Sequence, residues 1–384
     1  MALKPYEYYM KLAIKEGKKG AGRVSPNPLV GAVLVDPLSG EVISKGYHKF
    51  YGGPHAEVEA IKKAEEKAKG AWLFVTLEPC NHHGKTPPCS RLILEKGIKR
   101  VVCAIRDPNP KARGGLEFLQ EKGVEVFCGV LSKEAVNLTR AFLSRILRGI
   151  PWVTLKVASS LDGRISVSTG DSKWITCEKA RAFAHKLRAE HDAILVGKNT
   201  VLKDNPQLTC RLAKGKNPIR IVLDTRLSLS PSFRIFDTSS APTILACGEE
   251  VSEEKAGLFS KKGVEVWRLP LKNGRVDLTA LLKRCAEKGI NALLVEGGGK
   301  VHGAFLSEDL VDEVYYGVGP VIIGDPLGTP AISGVPLSAL SEACFLEELK
   351  AKKVGKSYFF HAYTKRGYSA LKDWAFSLSS FKAD

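Results

Sequence analysis

No stretch of this 384-residue chain is apolar over the length a bilayer requires. Its first residues, Met1-Ala-Leu-Lys-Pro-Tyr-Glu-Tyr-Tyr9, lack the apolar core of a signal peptide. A cytoplasmic protein without membrane partners is expected. Acidic residues are few: 41 Asp and Glu stand against 58 Lys and Arg, for a net charge of +17. The excess is spread out, 25 basic to 15 acidic in residues 1–150 and 33 to 26 beyond, with no basic tail or block. No segment interleaves arginine with aromatics, so the charge points to small phosphorylated ligands and no nucleic acid. The nine cysteines are odd in number and show no disulfide framework. Cys103, Cys128, Cys247, Cys285 and Cys344 lie in apolar context and read as core. Fixed-period repeats and low-complexity segments are also missing. What remains is a globular composition, 44% hydrophobic and 26% charged, too long for one ordinary core. A homo-oligomer is compatible with it.

Helix and strand patterns alternate along the first half. Helices are expected near 5–17, from His55 to about Lys69, and near 90–96, 115–122 and 133–147. Strands are expected at 30–36, 71–77, 100–105 and 124–127. Gly149-Ile-Pro151 then interrupts the pattern, and the rhythm restarts. Further strands read at 152–159, 193–197, 219–224, 243–247, 264–269, 291–296 and 313–318, with helices near 178–190, 277–288 and 300–307. Two α/β domains with largely parallel sheets follow, over 1–148 and 149–366. Residues 367–384 suggest no element.

His55-Ala-Glu57 opens a helix, Glu78-Pro-Cys80 follows a strand, and Cys89 comes after Asn81-His-His-Gly-Lys-Thr-Pro-Pro88. One imidazole and two thiolates make a three-donor zinc site whose fourth position is left for water, as catalysis requires. Glu57 would not ligate; it would move the water's proton to a departing amine. Both cysteines are expected at helix starts, where the helix dipole favours thiolate. His-x-Glu with Pro-Cys and a second cysteine is the pattern of zinc nucleobase deaminases, except that eight residues separate these cysteines instead of two. The competing reading is a closed structural site with His82, His83 or Cys103 as fourth ligand, which leaves Glu57 without a role.

Several segments together carry a family likeness: Ser25-Pro-Asn-Pro-Leu-Val-Gly-Ala-Val33, Gly53-Pro-His-Ala-Glu57, Thr76 to Cys89, Asp107-Pro-Asn-Pro110, Lys156-Val-Ala-Ser-Ser-Leu-Asp-Gly-Arg164, Asp171-Ser-Lys-Trp-Ile-Thr176 and Asp192-Ala-Ile-Leu-Val-Gly197. In these the chain resembles the bifunctional riboflavin-specific deaminase/reductase family, continuously over about residues 6–365. The resemblance implies a cytidine-deaminase-like α/β/α sandwich followed by a dihydrofolate-reductase-like α/β domain. It implies zinc-dependent deamination of 2,5-diamino-6-ribosylamino-4(3H)-pyrimidinone 5′-phosphate, then NADPH-dependent reduction of the product's ribosyl group to ribityl. By the same carry-over Asn27, His48, His82, Lys85 and Thr86 line the deaminase substrate pocket. Two departures are visible: Lys111-Ala-Arg-Gly-Gly-Leu116 is one residue short, and Thr139 stands where Asn is usual.

Strand 291–296 runs into Gly297-Gly-Gly-Lys-Val-His-Gly303, a turn that lets backbone amides approach phosphate at a helix start. It is not the dinucleotide fingerprint, and a tight structural turn reads equally well from the residues alone. The resemblance assigns it to NADPH: Ala158, Trp174, Thr200 and Asp204, with Gly298, Gly299, Lys300, Val301, His302, Gly303 and Ala304. It assigns Ser172, Arg188, Leu208, Arg211 and Glu296 to the reductase substrate, with the two arginines gripping the sugar phosphate. No side chain of this half stands out as a proton donor. The rival reading is a tRNA adenosine deaminase fused to an unrelated α/β domain; the His-His-Gly insertion and the second half oppose it.

Overall fold

A computed structural model describes residues 3–84 and 87–380. The chain divides into two compact units, Met1–Gly149 with Ser369–Asp384, and Ile150–Tyr368. Among the described residues no helix is long and apolar enough to cross a membrane.

The first unit comprises α1 (Tyr6–Gly17), β1 (Gly31–Val35), β2 (Val42–Tyr47), α2 (Ala56–Ala64), β3 (Trp72–Val75), α3 (Cys89–Glu95), β4 (Arg100–Cys103), α4 (Gly115–Glu121), β5 (Glu125–Cys128) and α5 (Ser132–Arg148). The sheet order is β2-β1-β3-β4-β5, with β1 antiparallel to both neighbours and β3 to β5 parallel. All five residues of β1 are buried, as a central strand covered on both faces demands. Ala32, Leu34, Leu73 and Val101 pack with Ala60 of α2, Ile93 of α3 and Leu116 of α4 in one core. The strand β2 has no counterpart in the sequence pattern, because Ser44, Lys45 and Gly46 break any alternation. Gly46 explains itself structurally: a Cβ there would sit 2.2 Å from the Ala56 carbonyl oxygen. Its bare backbone lets the first turn of α2, which carries Glu57, lie directly on the sheet.

The second unit comprises β6 (Trp152–Ser159), β7 (Arg164–Ser166), α6 (Glu178–Glu190), β8 (Ala193–Gly197), α7 (Lys198–Asp204), β9 (Ile219–Leu223), β10 (Thr243–Gly248), α8 (Glu253–Ser260), β11 (Glu265–Leu269), β12 (Leu271–Lys272), β13 (Arg275–Val276), α9 (Leu278–Glu287), β14 (Ala292–Gly297), α10 (Gly299–Ser307), β15 (Glu313–Val318), β16 (Thr329–Pro330), β17 (Leu346–Val354) and β18 (Ser357–Thr364). Its nine-stranded sheet runs β11-β10-β9-β8-β14-β6-β15-β18-β17. Only β18 and β17 are antiparallel additions, at one edge. Leu155, Leu195, Leu293 and Val295 build the core on one face, and Ile194, Val196, Val222 and Leu294 that on the other.

The final helix, α11 (Lys365–Ser377), begins in residues of the second unit and from Ser369 onward counts with the first. Trp374 and Ala375 are buried there. Two cysteines depart from the expected core: Cys128 is half-buried and Cys344 is exposed.

Candidate active sites

His55 caps the N-terminus of α2 in extended conformation, and Glu57 falls in its first turn. Cys89 is the first residue of α3. Cys80 is not at a helix start, contrary to expectation; it sits in the loop after β3. Its sulfur instead receives the Cys89 N–H at 3.5 Å, and its carbonyl receives the Ser90 N–H at 3.2 Å. The His55 Nδ1 lies 3.5 Å from Cys80 Sγ and 3.3 Å from Cys89 Sγ. The three donor atoms lie within 4.8 Å of one another. One imidazole and two sulfurs so gathered match zinc in donor type and count. Among the described residues no fourth protein donor joins them. Cys103, one nominee for a closed site, gives its S–H to the Ile105 carbonyl.

Electrostatics divide the two thiols. A hydrogen bond from Cys89 draws Cys80 down to about 4, while the neighbouring Cys80 sulfur and burial push Cys89 well up. The bond to Cys80 raises His55 to about 8. Glu57 is buried against the Cys89 thiol, and burial pushes its carboxyl upward, the direction a group that alternately accepts and donates a proton needs.

The cavity over these groups holds about 250 Å³ and is lined by Asn27, His48, His82, Asp107, Asn109 and Phe142 among others. His48 Nδ1 faces the Pro54 carbonyl at 2.9 Å, so that nitrogen carries the proton and Nε2 accepts from the Asn27 amide at 3.1 Å. Burial lowers the pKa of His48 and keeps the ring neutral, as this pairing requires. His82 Nδ1 is buried with no partner among the described residues. Lys85 and Thr86 lie outside the described residues.

Two carboxylates escaped the sequence reading. Asp107 is buried at the cavity wall, and desolvation raises it to about 7. Glu78 is a clamp: its oxygens accept the N–H groups of Asp107 (3.1 Å), Gly114 (2.8 Å) and Gly115 (2.9 Å). It thereby holds the start of α4 and the Asp107 loop two residues from Cys80. Gly115 closes the same joint, since a Cβ would come within 1.8 Å of the Pro79 carbonyl. The Glu-Pro-Cys spacing was the available signal, but its glutamate reads as a ligand neighbour until the loop is folded. Glu78→Ala leaves those buried donors unpaired and is expected to cost about 2–4 kcal/mol. Thermal unfolding checks this; a melting temperature equal to the parent's removes Glu78 as the clamp.

In the second unit β14 delivers Gly297 and Gly298 to a cavity of about 1210 Å³. Gly298 takes φ +41°, which side-chain-bearing residues rarely adopt, and opens the nine-residue α10. The cavity is lined by Thr200, Asp204, Gly298, Gly299, Lys300, Val301 and Ala304 of the expected cofactor set, by Ser172 of the expected substrate set, and by the cations Lys198, Lys203, Lys272 and Arg275. Amides at a helix start ringed by ammonium groups suit the phosphates of a dinucleotide. His302 and Gly303 do not line it. His302 is buried with Nδ1 on the Ala331 carbonyl (2.8 Å), and a Cβ at Gly303 would meet the Ser333 carbonyl at 1.9 Å. Ala158 and Trp174 are also off the wall, Trp174 being 68% exposed under the Arg181 guanidinium.

The substrate set separates as well. Leu208 is buried in the core. Arg211 caps Thr209 Oγ1 at 2.9 Å and remains exposed. Arg188 and Glu296 of the set are brought together: the guanidinium binds both carboxylate oxygens, at 2.9 and 2.7 Å. Lys156, on β6, brings its ammonium to 3.9 Å from the same carboxylate. Burial would raise Glu296, but Arg188 and Lys156 outweigh it and hold the carboxyl at about 2. Burial lowers Lys156 despite Glu296. His185 is taken down to about 4 by burial and the neighbouring arginines, and its Nδ1 accepts the Arg211 N–H at 3.0 Å. Lys156 lies inside a quoted motif, yet sequence could not separate it from other strand lysines.

Comparison with known proteins bears on both sites. Residues 3–105 match the cytidine and deoxycytidylate deaminase zinc-binding region, and residues 151–360 match the RibD C-terminal domain. The riboflavin biosynthesis protein RibD of Bacillus amyloliquefaciens is 42% identical over 365 residues, 94% of this chain and 97% of its own. That of Aquifex aeolicus is 44% identical over 359 residues, 92% and 98% of the two chains. The crystal structure of a Thermotoga maritima diaminohydroxyphosphoribosylaminopyrimidine deaminase/5-amino-6-(5-phosphoribosylamino)uracil reductase superposes with a TM-score of 0.82 at 42% identity, covering 94% of this chain and 98% of that one. Acinetobacter baumannii RibD gives 0.84 at 33% identity, covering 94% and 99%.

Proposed function

The chain belongs to the RibD family of bifunctional deaminase/reductases of riboflavin biosynthesis, and on that premise we propose the substrate, cofactor and residue roles of each unit. The first unit deaminates the diaminopyrimidine ribosylamine phosphate at C2, and the second reduces the resulting uracil's ribosyl group with NADPH. The observation that carries the first half is the triad of His55, Cys80 and Cys89 beside a buried Glu57. Those three residues would hold zinc, which as a Lewis acid brings the pKa of water toward neutrality. Glu57 takes a proton from the attacking water and returns it to the leaving amino nitrogen; a C–O bond forms and a C–N bond breaks. The Asn27–His48 pair fixes the edge against which the ring is oriented. The small cavity has room for one heterocycle.

In the second unit Gly298 to Val301, Thr200 and Asp204 would hold NADPH, which supplies hydride. Opening the ribosyl ring at the reduced carbon needs a proton on the ring oxygen, and we assign that donor role to Lys156, whose ammonium lies 3.9 Å from Glu296, the residue before Gly297 of the cavity wall. Burial lowers the ammonium's pKa, and Glu296, kept ionised by Arg188, holds it in place.

The test is metal analysis with a two-step assay. Purified protein is expected to carry about one zinc per chain. It should release ammonia from the diaminopyrimidine without NADPH and oxidise NADPH only after that step. Zinc-loaded protein that releases no ammonia sinks the first assignment; ammonia release followed by no NADPH oxidation sinks the second.

A further inference from the structure

In the first unit the chain of β4 outruns its neighbour. Past Cys103, the Ala104 N–H donates to the Val75 carbonyl at 3.0 Å, and the Ile105 carbonyl accepts from Glu78 at 2.9 Å. On the other side β5 has ended. The Gly129 N–H closes on the Cys103 carbonyl at 3.1 Å, and the chain turns off at φ +103°. The Arg106 N–H that follows is taken by the carbonyl of Leu378, at 2.9 Å. The Cys128 thiol donates to that same carbonyl at 3.9 Å.

The C-terminal segment is anchored where it makes this contact. The Leu378 N–H bonds the Trp374 carbonyl at 3.0 Å, Trp374 and Ala375 are buried, and the Arg148 guanidinium lies 5.3 Å from the Trp374 ring centroid. A Cβ on Gly129 would come within 2.8 Å of the Ser379 carbonyl, so the segment passes against bare backbone. Arg106 immediately precedes Asp107, whose N–H is held by Glu78 and whose side chain lines the deaminase cavity. The matched family descriptions end at residues 105 and 360, so the contact lies outside both.

We propose that Trp374–Ser379 is a positioning element of the deaminase site: the Leu378 carbonyl holds Arg106, and through it sets the Asp107 carboxyl against the cavity. The segment touches no reacting atom and acts only through the 104–109 strand end. The inference rests on the deaminase reading of this unit.

The full-length chain is compared with a variant ending after Ser377 and with Trp374→Ala, using Trp374→Phe as the conservative control. Rates are measured well below each variant's melting temperature. Deaminase kcat/KM is expected to fall about ten-fold in the first two, because a displaced wall misplaces substrate, and to recover in Trp374→Phe. Reduction of separately supplied uracil substrate, and zinc content, should stay at parental values. Amide exchange over 104–109 should accelerate about ten-fold or more. An active parent whose variants keep parental kcat, KM and exchange overturns this inference alone, as does a loss seen only as a lower melting temperature. A parent inert toward the diaminopyrimidine overturns the deaminase reading, and this inference with it.

Discussion

Glu57→Gln is expected to lower deamination by about 10²–10⁴-fold while zinc content and reductase rate stay at parental values. Glutamine keeps the side chain's length and shape in the buried slot beside Cys89 but cannot take up a proton. The proton from water then has no route to the leaving nitrogen, and that transfer is where the rate is lost. Zinc should remain, because the donor set of His55, Cys80 and Cys89 is untouched. Stability provides an internal control. Burial disfavours the ionised form of Glu57, so a neutral amide removes a desolvation penalty, and the metal-free variant should melt no lower than the parent. Equal ammonia release by variant and parent would take Glu57 out of the mechanism. A variant that lost zinc would instead make Glu57 a structural support of the metal centre.

Why that carboxylate could be picked out of the sequence, while Glu78 and Asp107 could not, is a matter of range. His55-Ala-Glu57 is a local pattern: a residue at a helix cap and one in the first turn of the same helix share an end of that helix whatever the rest of the chain does. The strands Trp152–Ser159, Ala193–Gly197 and Glu313–Val318 were legible for a similar reason, being short stretches rich in β-branched and aromatic residues. Glu78 acquires its role only when Gly114 and Gly115, 36 and 37 residues on, bring their N–H groups to it. The edge strand Leu346–Val354 shows eight exposed positions out of nine, so no inside–outside alternation marks it. The Arg188–Glu296 pair was hidden for the same reason of range: the partners are 108 residues apart, and only the fold turns a helix arginine into half of a buried pair.

Within that buried set the residues are expected to divide sharply on substitution. Lys156→Met keeps the stem's bulk and removes the ammonium. Reductase kcat should fall by about 10²–10⁴-fold, the range of a lost general acid, with deamination unchanged. The fold should tolerate it, since Glu296 keeps its two short bonds to Arg188 and loses only a contact at 3.9 Å. Arg188→Met is the contrasting case: it strands a carboxylate whose side chain is 6% exposed beside one distant cation, and should cost about 3–5 kcal/mol of stability. The pH profile separates donor from bystander. Burial lowers the Lys156 pKa, so its proton is lost as pH rises through a value below that of an ordinary lysine. The parent's reductase rate should therefore decline on the alkaline side, and Lys156→Met should lack that limb. If Lys156→Met reduces the uracil substrate at the parental rate, the proton comes from elsewhere, and the ammonium is only a counter-charge to Glu296.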